Sequence, residues 1–175
     1  LVEAMRFESG VIKRRGSISA GSTVSDYSPI EKEDGYSVSS SIISLEWMDR
    51  KLNFVDCPDP DDFIGDVITA LNVTDTALMV LNSHYGLEVT TVNQLRYTRD
   101  LKKPVIFIVN HLDDEKADFD NVVSQLKSDY GDKAVIVQYP VNAGPDFNAV
   151  VDVLKNKMYR WKPEGGEPEI LDIPD

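Results

Sequence analysis

The sequence has little cysteine, few basic residues and no long apolar run. Its single cysteine, Cys57, excludes a disulfide within the chain and is typical of a reducing compartment. Lysine and arginine number 18 against 30 acidic residues, and the net charge of −12 argues against a chain that binds nucleic acid through its overall field. Apolar runs such as VIFIV are far shorter than the ~18 residues of a membrane span. We therefore expect a cytoplasmic protein that binds neither DNA nor membrane.

The first third of the chain predicts short elements around a long loop. With 175 residues and 42% hydrophobic content, the chain can bury one ordinary core. Residues 1–10 predict a short helix that stops at Gly10. The stretch from Arg14 to Tyr36 is rich in Ser, Gly and acid and lacks periodicity, so it predicts a long mobile loop. Alternating apolar residues across 43–54 predict a hairpin of two strands.

Apolar strands and amphipathic helices alternate through the middle of the chain. Helices are expected near 63–71, 87–99 and 119–126, and strands at TALMVLN, PVIFIVN and AVIVQYP. Strands that are apolar on both faces indicate a mostly parallel sheet with helices on both faces, so the predicted fold class is α/β. After Gly144 short strands replace this pattern. We expect a main domain at 1–140 and the start of a smaller subdomain at 141–175.

Polar clusters follow three of the predicted strands. They are DCPDPDDF from Asp56 onward, Asn82 with its two followers, and NHLD from Asn110 to Asp113. Because ligands of open α/β sheets bind at the carboxyl ends of strands, these clusters are the candidate site. The acidic stretch fits a metal or phosphate site, a modified form of one, or a loop whose carboxylates are simply solvated. A metal phosphatase is a weaker hypothesis, because prolines separate the aspartates.

Six stretches along the chain form its most specific pattern: LVEAMRFESGVIKRRG, GSTVSDYSPIEKEDGYSV, DCPDPDDF, HYGLEVTT, NHLD, and VVDVLKNKMYRW with EILDIP. In this order and spacing they resemble the guanine-nucleotide domain of elongation factor G and its close relatives. There DCPDPDDF stands at D-T-P-G-H-x-D-F and NHLD at N-K-x-D. The resemblance implies a P-loop GTPase fold and an inserted subdomain at the C-terminal end. No G-x-x-x-x-G-K-[ST] occurs, so the phosphate loop is missing from this sequence.

The resemblance also implies roles for individual residues. Asp113 would accept the guanine N1–H and exocyclic amine, and Asn110 would steady the base. His111 stands in place of the family's lysine. Ser37 occupies the position of the switch threonine that reaches Mg²⁺, and Asp56 would hold a magnesium-bound water. The implied sets are GTP-binding Asp56, Asp59, Asn110, His111 and Asp113, and magnesium-binding Ser37 and Asp56.

Two residues depart from the family pattern where hydrolysis takes place. Asp59 replaces a glycine that approaches the γ-phosphate, and Pro60 replaces the histidine that orients water. Proline has no ring nitrogen or backbone N–H to position water, so no catalytic residue is assigned. We therefore expect impaired hydrolysis. Two alternatives stay open: a nucleotide-free pseudo-GTPase that serves as a docking module, and an active GTPase in which Asp61 or Asp62 positions the water.

The implied function is that of an elongation factor G-like translation factor. Its partners would be the ribosome, including rRNA, and its cofactors GTP or GDP with Mg²⁺. Both cofactors are expected only in the complete protein, because tight binding needs the phosphate loop. The protein is expected to be a monomer.

Overall fold

A computed structural model describes residues 1–59 and 61–173. The chain divides into two compact units, and each is described by itself. The first unit contains Leu1–Ala77 and Thr90–Val105. The second contains Leu78–Val89 and Ile106–Asp175.

The first unit consists of four helices and one hairpin within its described residues. Its elements are α1 (Val2–Glu8), α2 (Pro29–Asp34), β1 (Ser41–Trp47), β2 (Arg50–Asp56), α3 (Ile64–Val73) and α4 (Val89–Asp100). The first residue of α4, Val89, belongs to the second unit. β1 and β2 pair antiparallel, as expected from the alternation. Met48 and Asp49 form the turn with φ of 49° and 58°, a left-handed geometry that matches the twist of two-residue hairpins. Ile43 and Leu45 are buried on one face of β1.

Helix α2 lies inside the stretch that was predicted to be a mobile loop, and that prediction is wrong for these residues. Ser28 accepts the Glu31 amide, and the Glu31 carboxylate accepts the Ser28 amide, which together form a capping box. Gly35 closes the helix in the left-handed conformation with φ of 74°. The spacing S-x-x-E was readable in the sequence, but the lack of apolar periodicity concealed it, because a helix of this length is specified by its caps.

The second unit combines a parallel strand pair, a helix and an antiparallel sheet. Its elements are β3 (Ala77–Asn82), β4 (Val105–Asn110), α5 (Phe119–Tyr130), β5 (Gln138–Pro140), β6 (Ala149–Asp152), β7 (Lys157–Arg160) and β8 (Glu169–Leu171). The first residue of β3 and the first of β4 belong to the first unit. β3 and β4 pair in parallel. Leu81 of β3 packs with Val122 and Leu126 of α5, and these three buried side chains form the core of the unit.

The expected alternation of strands and helices is present, but the mostly parallel sheet is seen only in part. β3 and β4 are the one parallel pair among the described residues. The third predicted strand, AVIVQYP, is reduced to the three residues of β5, which pairs antiparallel with β6 in the order β5-β6-β7-β8. Short return connections allow antiparallel pairing, whereas a parallel partner needs a long crossover. The boundary at 140, the missing phosphate loop and the inserted subdomain stay predictions.

No helix among the described residues is long and apolar enough to cross a membrane.

Candidate functional site

Asp56, the last residue of β2, is partly buried in the first unit and pairs across the hairpin with Ser41. Burial raises the pKa of the Asp56 carboxyl, and the neighbouring Asp26 carboxylate adds to this effect. A hydrogen bond with Ser25 opposes it. The carboxylate form is therefore under-stabilised, and a cation near it would relieve both burial and repulsion.

Ser37 is hydrogen-bonded to Asp26, the carboxylate whose charge acts on Asp56. The Ser37 hydroxyl donates a 2.6 Å hydrogen bond to Asp26 Oδ1, and the Thr23 hydroxyl donates one of 2.8 Å to Oδ2. Asp26 is 8% exposed. Of the two predicted magnesium ligands, Ser37 is thus hydrogen-bonded to the buried Asp26, whose negative charge also raises the pKa of Asp56. Sequence reasoning did not single out Asp26, because nothing distinguishes it within a polar segment.

The oxygen atoms around Asp26 are of the kind that Mg²⁺ prefers. Hydroxyl and carboxylate oxygens are hard ligands, and Mg²⁺ is commonly held by one or two carboxylates together with substrate phosphates and water. Within residues 1–59 and 61–173 there is no group of three or more His, Cys, Asp or Glu side chains that could hold a metal ion. The Ser37 and Asp56 oxygens match Mg²⁺ in kind, and an ion held by them would need further oxygen ligands such as phosphate and water.

The loop after β2 turns from buried to exposed within a few residues. Pro58 is fully buried, whereas Asp59 is exposed. Cys57 is partly buried, and burial raises the pKa of its thiol, which accepts a 3.7 Å hydrogen bond from the Ser40 hydroxyl. The thiol is thus part of the packing. Pro60, at the position of the family histidine, lies outside the described residues.

Asp61 and Asp62 continue the loop as exposed residues. Asp61 lines a cleft of about 490 Å³ whose other wall is formed by α4 residues Asn93, Arg96, Tyr97 and Asp100. Asp59, Asp61 and Asp62 are exposed, as both a solvated acidic loop and an open phosphate site require.

In the second unit, the NHLD stretch forms a turn at the end of β4. Asn110 ends the strand, and His111 follows with φ of 58°, a left-handed conformation that histidine adopts more readily than most residues. The Asp114 amide donates to the His111 carbonyl at 3.1 Å, and the Gly144 amide donates to the Leu112 carbonyl at 2.7 Å. Several backbone hydrogen bonds therefore fix the turn.

Ser83 anchors this turn from the end of β3. Its amide donates to the Asn110 carbonyl at 2.9 Å, and its hydroxyl donates to the His111 carbonyl at 2.6 Å. Ser83 is 0% exposed. The sequence marked the polar cluster after β3 without giving Ser83 a role, since only the pairing of β3 with β4 brings it beside the turn.

The side chains predicted to contact the base are all on the outside of this turn. Asn110, His111 and Asp113 are exposed. Asp114 is used differently, because its Oδ1 accepts a 2.8 Å hydrogen bond from the Lys116 amide. The backbone is thus held from within while the Asn110 and Asp113 side chains stay accessible to a ligand. Asp56 and Asn110 belong to different units, and their placement on a common rim stays a prediction.

Comparison with known proteins identifies the family. The model of the elongation factor Tu GTP binding domain matches residues 1–161. The chain belongs to this family. The resemblance to elongation factor G-like translational GTPases is thereby confirmed.

Relatives of this GTP-binding domain align along its whole length. It is 37% identical to an elongation factor G-like protein of Thermotoga maritima, over 100% of this chain and 25% of the relative. Elongation factor G of Mycoplasma pneumoniae is 34% identical over 99% of this chain and 25% of the relative. The mitochondrial ribosome-releasing factor 2 of Candida dubliniensis is 32% identical over 98% of this chain and 22% of the relative.

A solved structure agrees with the fold. A crystal structure of a Thermus thermophilus protein matches 99% of this chain and 26% of the other with a TM-score of 0.90 and 26% identity. The domain thus spans about a quarter of the length of the proteins it matches.

Proposed function

We propose that this chain is the guanine-nucleotide-binding part of an elongation factor G-like translation factor that acts on the ribosome and hydrolyses GTP slowly. The observations that carry the proposal are the match of residues 1–161 to a GTP-binding domain and the hydrogen bond by which the buried Asp26 holds the Ser37 hydroxyl. Ser37 and Asp56 are the two residues that the family pattern assigns to magnesium.

The family pattern assigns separate parts of the nucleotide to separate residues in the complete protein. Asp113 would accept the guanine N1–H and amine, Asn110 would steady the base, and His111 would stack where lysine normally packs. Mg²⁺ would be held through the Ser37 hydroxyl and a water on Asp56, and it would offset phosphate charge. The proposed partner is the ribosome with its rRNA. The protein would act in the cytoplasm as a monomer.

Slow hydrolysis follows from the chemistry at positions 59 and 60. A carboxylate about 4 Å from a phosphate charge is repelled by about 4 kcal/mol at an effective dielectric near 20. The exposed Asp59 would oppose charge where the transition state requires that charge to be stabilised. Pro60 has no side-chain group that could bind the attacking water and no backbone N–H to donate to it.

Single-turnover GTP hydrolysis by the complete protein on ribosomes tests the proposal. Losing a water-positioning group costs ~10² to 10⁴ in rate, so the parent should cleave slower by that factor than a relative carrying P-G-H. The double substitution Asp59→Gly with Pro60→His should restore part of the rate. Asp75→Gly is the matched control, because it removes another exposed carboxylate of the same unit and should leave the rate unchanged.

Two results would overturn parts of this proposal. Rapid cleavage by the parent would show an active GTPase, and Asp61→Asn or Asp62→Asn should then slow it. Failure of the complete protein to bind GTP or GDP would favour the nucleotide-free docking module.

A further inference from the structure

Glu31 is a buried carboxylate that the proposed nucleotide chemistry does not use. It lies in α2 and is 1% exposed, although glutamate is rarely buried without partners. Its Oε2 accepts the Ser28 amide at 3.0 Å. Its Oε1 accepts the amides of Val38 at 3.1 Å and Ser39 at 3.3 Å. One carboxylate thus ties the start of a short helix to the segment that follows it.

The charge of Glu31 is supported by these contacts. Burial raises the pKa of the carboxyl, but the hydrogen bonds from Ser28, Val38 and Ser39 outweigh burial, so that the pKa lies below its ordinary value. The side chain is therefore ionised at neutral pH, and its bonds to the amides are charge-assisted.

The two amides bound by Glu31 come directly after Ser37. The Ser37 hydroxyl is bound separately, by Asp26 at 2.6 Å. Gly35, in the left-handed conformation, gives the chain its reversal just before Ser37. The segment is consequently held through its backbone on one side and through its hydroxyl on the other.

We propose that Glu31 is a positioning residue that fixes the backbone at Val38 and Ser39 and so presents the Ser37 hydroxyl to Mg²⁺. This inference rests on the proposed role of Ser37. Glu31 does not touch the metal or the nucleotide, and it acts only by restricting where Ser37 lies.

Hydrogen exchange of the nucleotide-free complete protein, followed by mass spectrometry, tests the positioning directly. Glu31→Gln keeps the shape but can turn an amide donor toward the backbone N–H groups. Exchange at Val38 and Ser39 should accelerate about tenfold or more, because their amides lose an acceptor and open more easily. A tenfold change in the opening equilibrium corresponds to about 1.4 kcal/mol. Exchange within the β1–β2 hairpin should stay unchanged. Glu33→Gln, an exposed acid on the same helix, is the matched control.

Nucleotide binding with and without magnesium separates positioning from general support of the fold. Glu31→Gln should weaken the Mg²⁺-dependent tightening of binding of a non-hydrolysable GTP analogue about tenfold and leave its affinity in a chelator unchanged, because switch segments of GTPases contact Mg²⁺ when the γ-phosphate is present. Ser37→Ala should reproduce the magnesium effect, and adding Glu31→Gln to it should produce little more, because the two act through one contact.

Unchanged exchange at Val38 and Ser39 would overturn the inference, as would an equal loss of affinity with and without Mg²⁺. If Glu31→Gln does not fold, Glu31→Asp keeps the charge with a shorter reach and should give the same pattern. If the parent binds no nucleotide, the proposed function fails, and the exchange measurement alone still decides whether Glu31 positions this segment.

Discussion

Two polar regions of the molecule use their carboxylates in opposite ways. In the segment 22–41, Asp26 and Glu31 are buried and accept hydrogen bonds from hydroxyl and backbone groups. In the turn 110–114, Asp113 is exposed, and the buried hydroxyl of Ser83 holds the backbone. In the first region, buried carboxylates hold the chain in place, whereas in the second region the Asp113 carboxylate is exposed and holds nothing that the structure describes in the turn.

The difference teaches which acids are available for ligands. A buried carboxylate that satisfies several amides cannot leave them without leaving donors unpaired, so its contribution is mainly to conformation. An exposed carboxylate on a fixed turn loses little when it exchanges water for a ligand. We therefore expect stability to depend on the first region and base recognition on the second.

The largest expected effect separates the two regions by stability. Glu31→Ala should lower the free energy of unfolding by about 3 kcal/mol or more, because three amides lose their acceptor at about 1–3 kcal/mol each. Asp113→Ala should change it by no more than about 0.5 kcal/mol. Urea unfolding followed by circular dichroism measures both. Equal losses in the two variants would contradict the comparison.

A second prediction concerns base recognition by the complete protein. Asp113→Asn should weaken guanine-nucleotide binding by about 2 kcal/mol and favour xanthine nucleotides, because an amide donor faces the xanthine carbonyl. Titrating both nucleotides against parent and variant is the measurement. Glu115→Gln, another exposed acid of the turn, is the control. Unchanged GTP affinity in Asp113→Asn would remove Asp113 from the site.

The smallest expected effect concerns an exposed contact in the second unit. The Tyr139 hydroxyl donates a 2.9 Å hydrogen bond to Asp120, and Tyr139→Phe should cost no more than about 0.5 kcal/mol. This bond, burial and the Asp120 charge raise the pKa of Tyr139 above 10.0. The contribution of the phenol should therefore be present below pH ~10 and lost as pH rises through the folded-state pKa. Stability curves of parent and variant that stay parallel above pH 10 would contradict this sign.

Much of the fold was readable from patterns of apolar residues. The hairpin β1–β2, the helices α3 to α5 and the strands β3 and β4 follow the alternation that predicts them, because burial of one face or of both faces fixes their period. Helix α2 was not predicted, because its capping residues specify it and its sequence has no apolar periodicity. Strand β5 was predicted to be longer and to join the parallel sheet, whereas it pairs antiparallel with β6. A run of apolar residues does not indicate which strand it will pair with.

The sequence by itself determined the family, the order of the motifs and the departures at Asp59 and Pro60, because these depend only on residue identity and spacing. Only the tertiary structure decided that Asp26 binds the Ser37 hydroxyl, that Glu31 binds the amides after Ser37, and that Ser83 holds the NHLD turn. These partners are separated along the chain, and a single carboxylate or hydroxyl carries no mark of the distant donor or acceptor that folding brings to it.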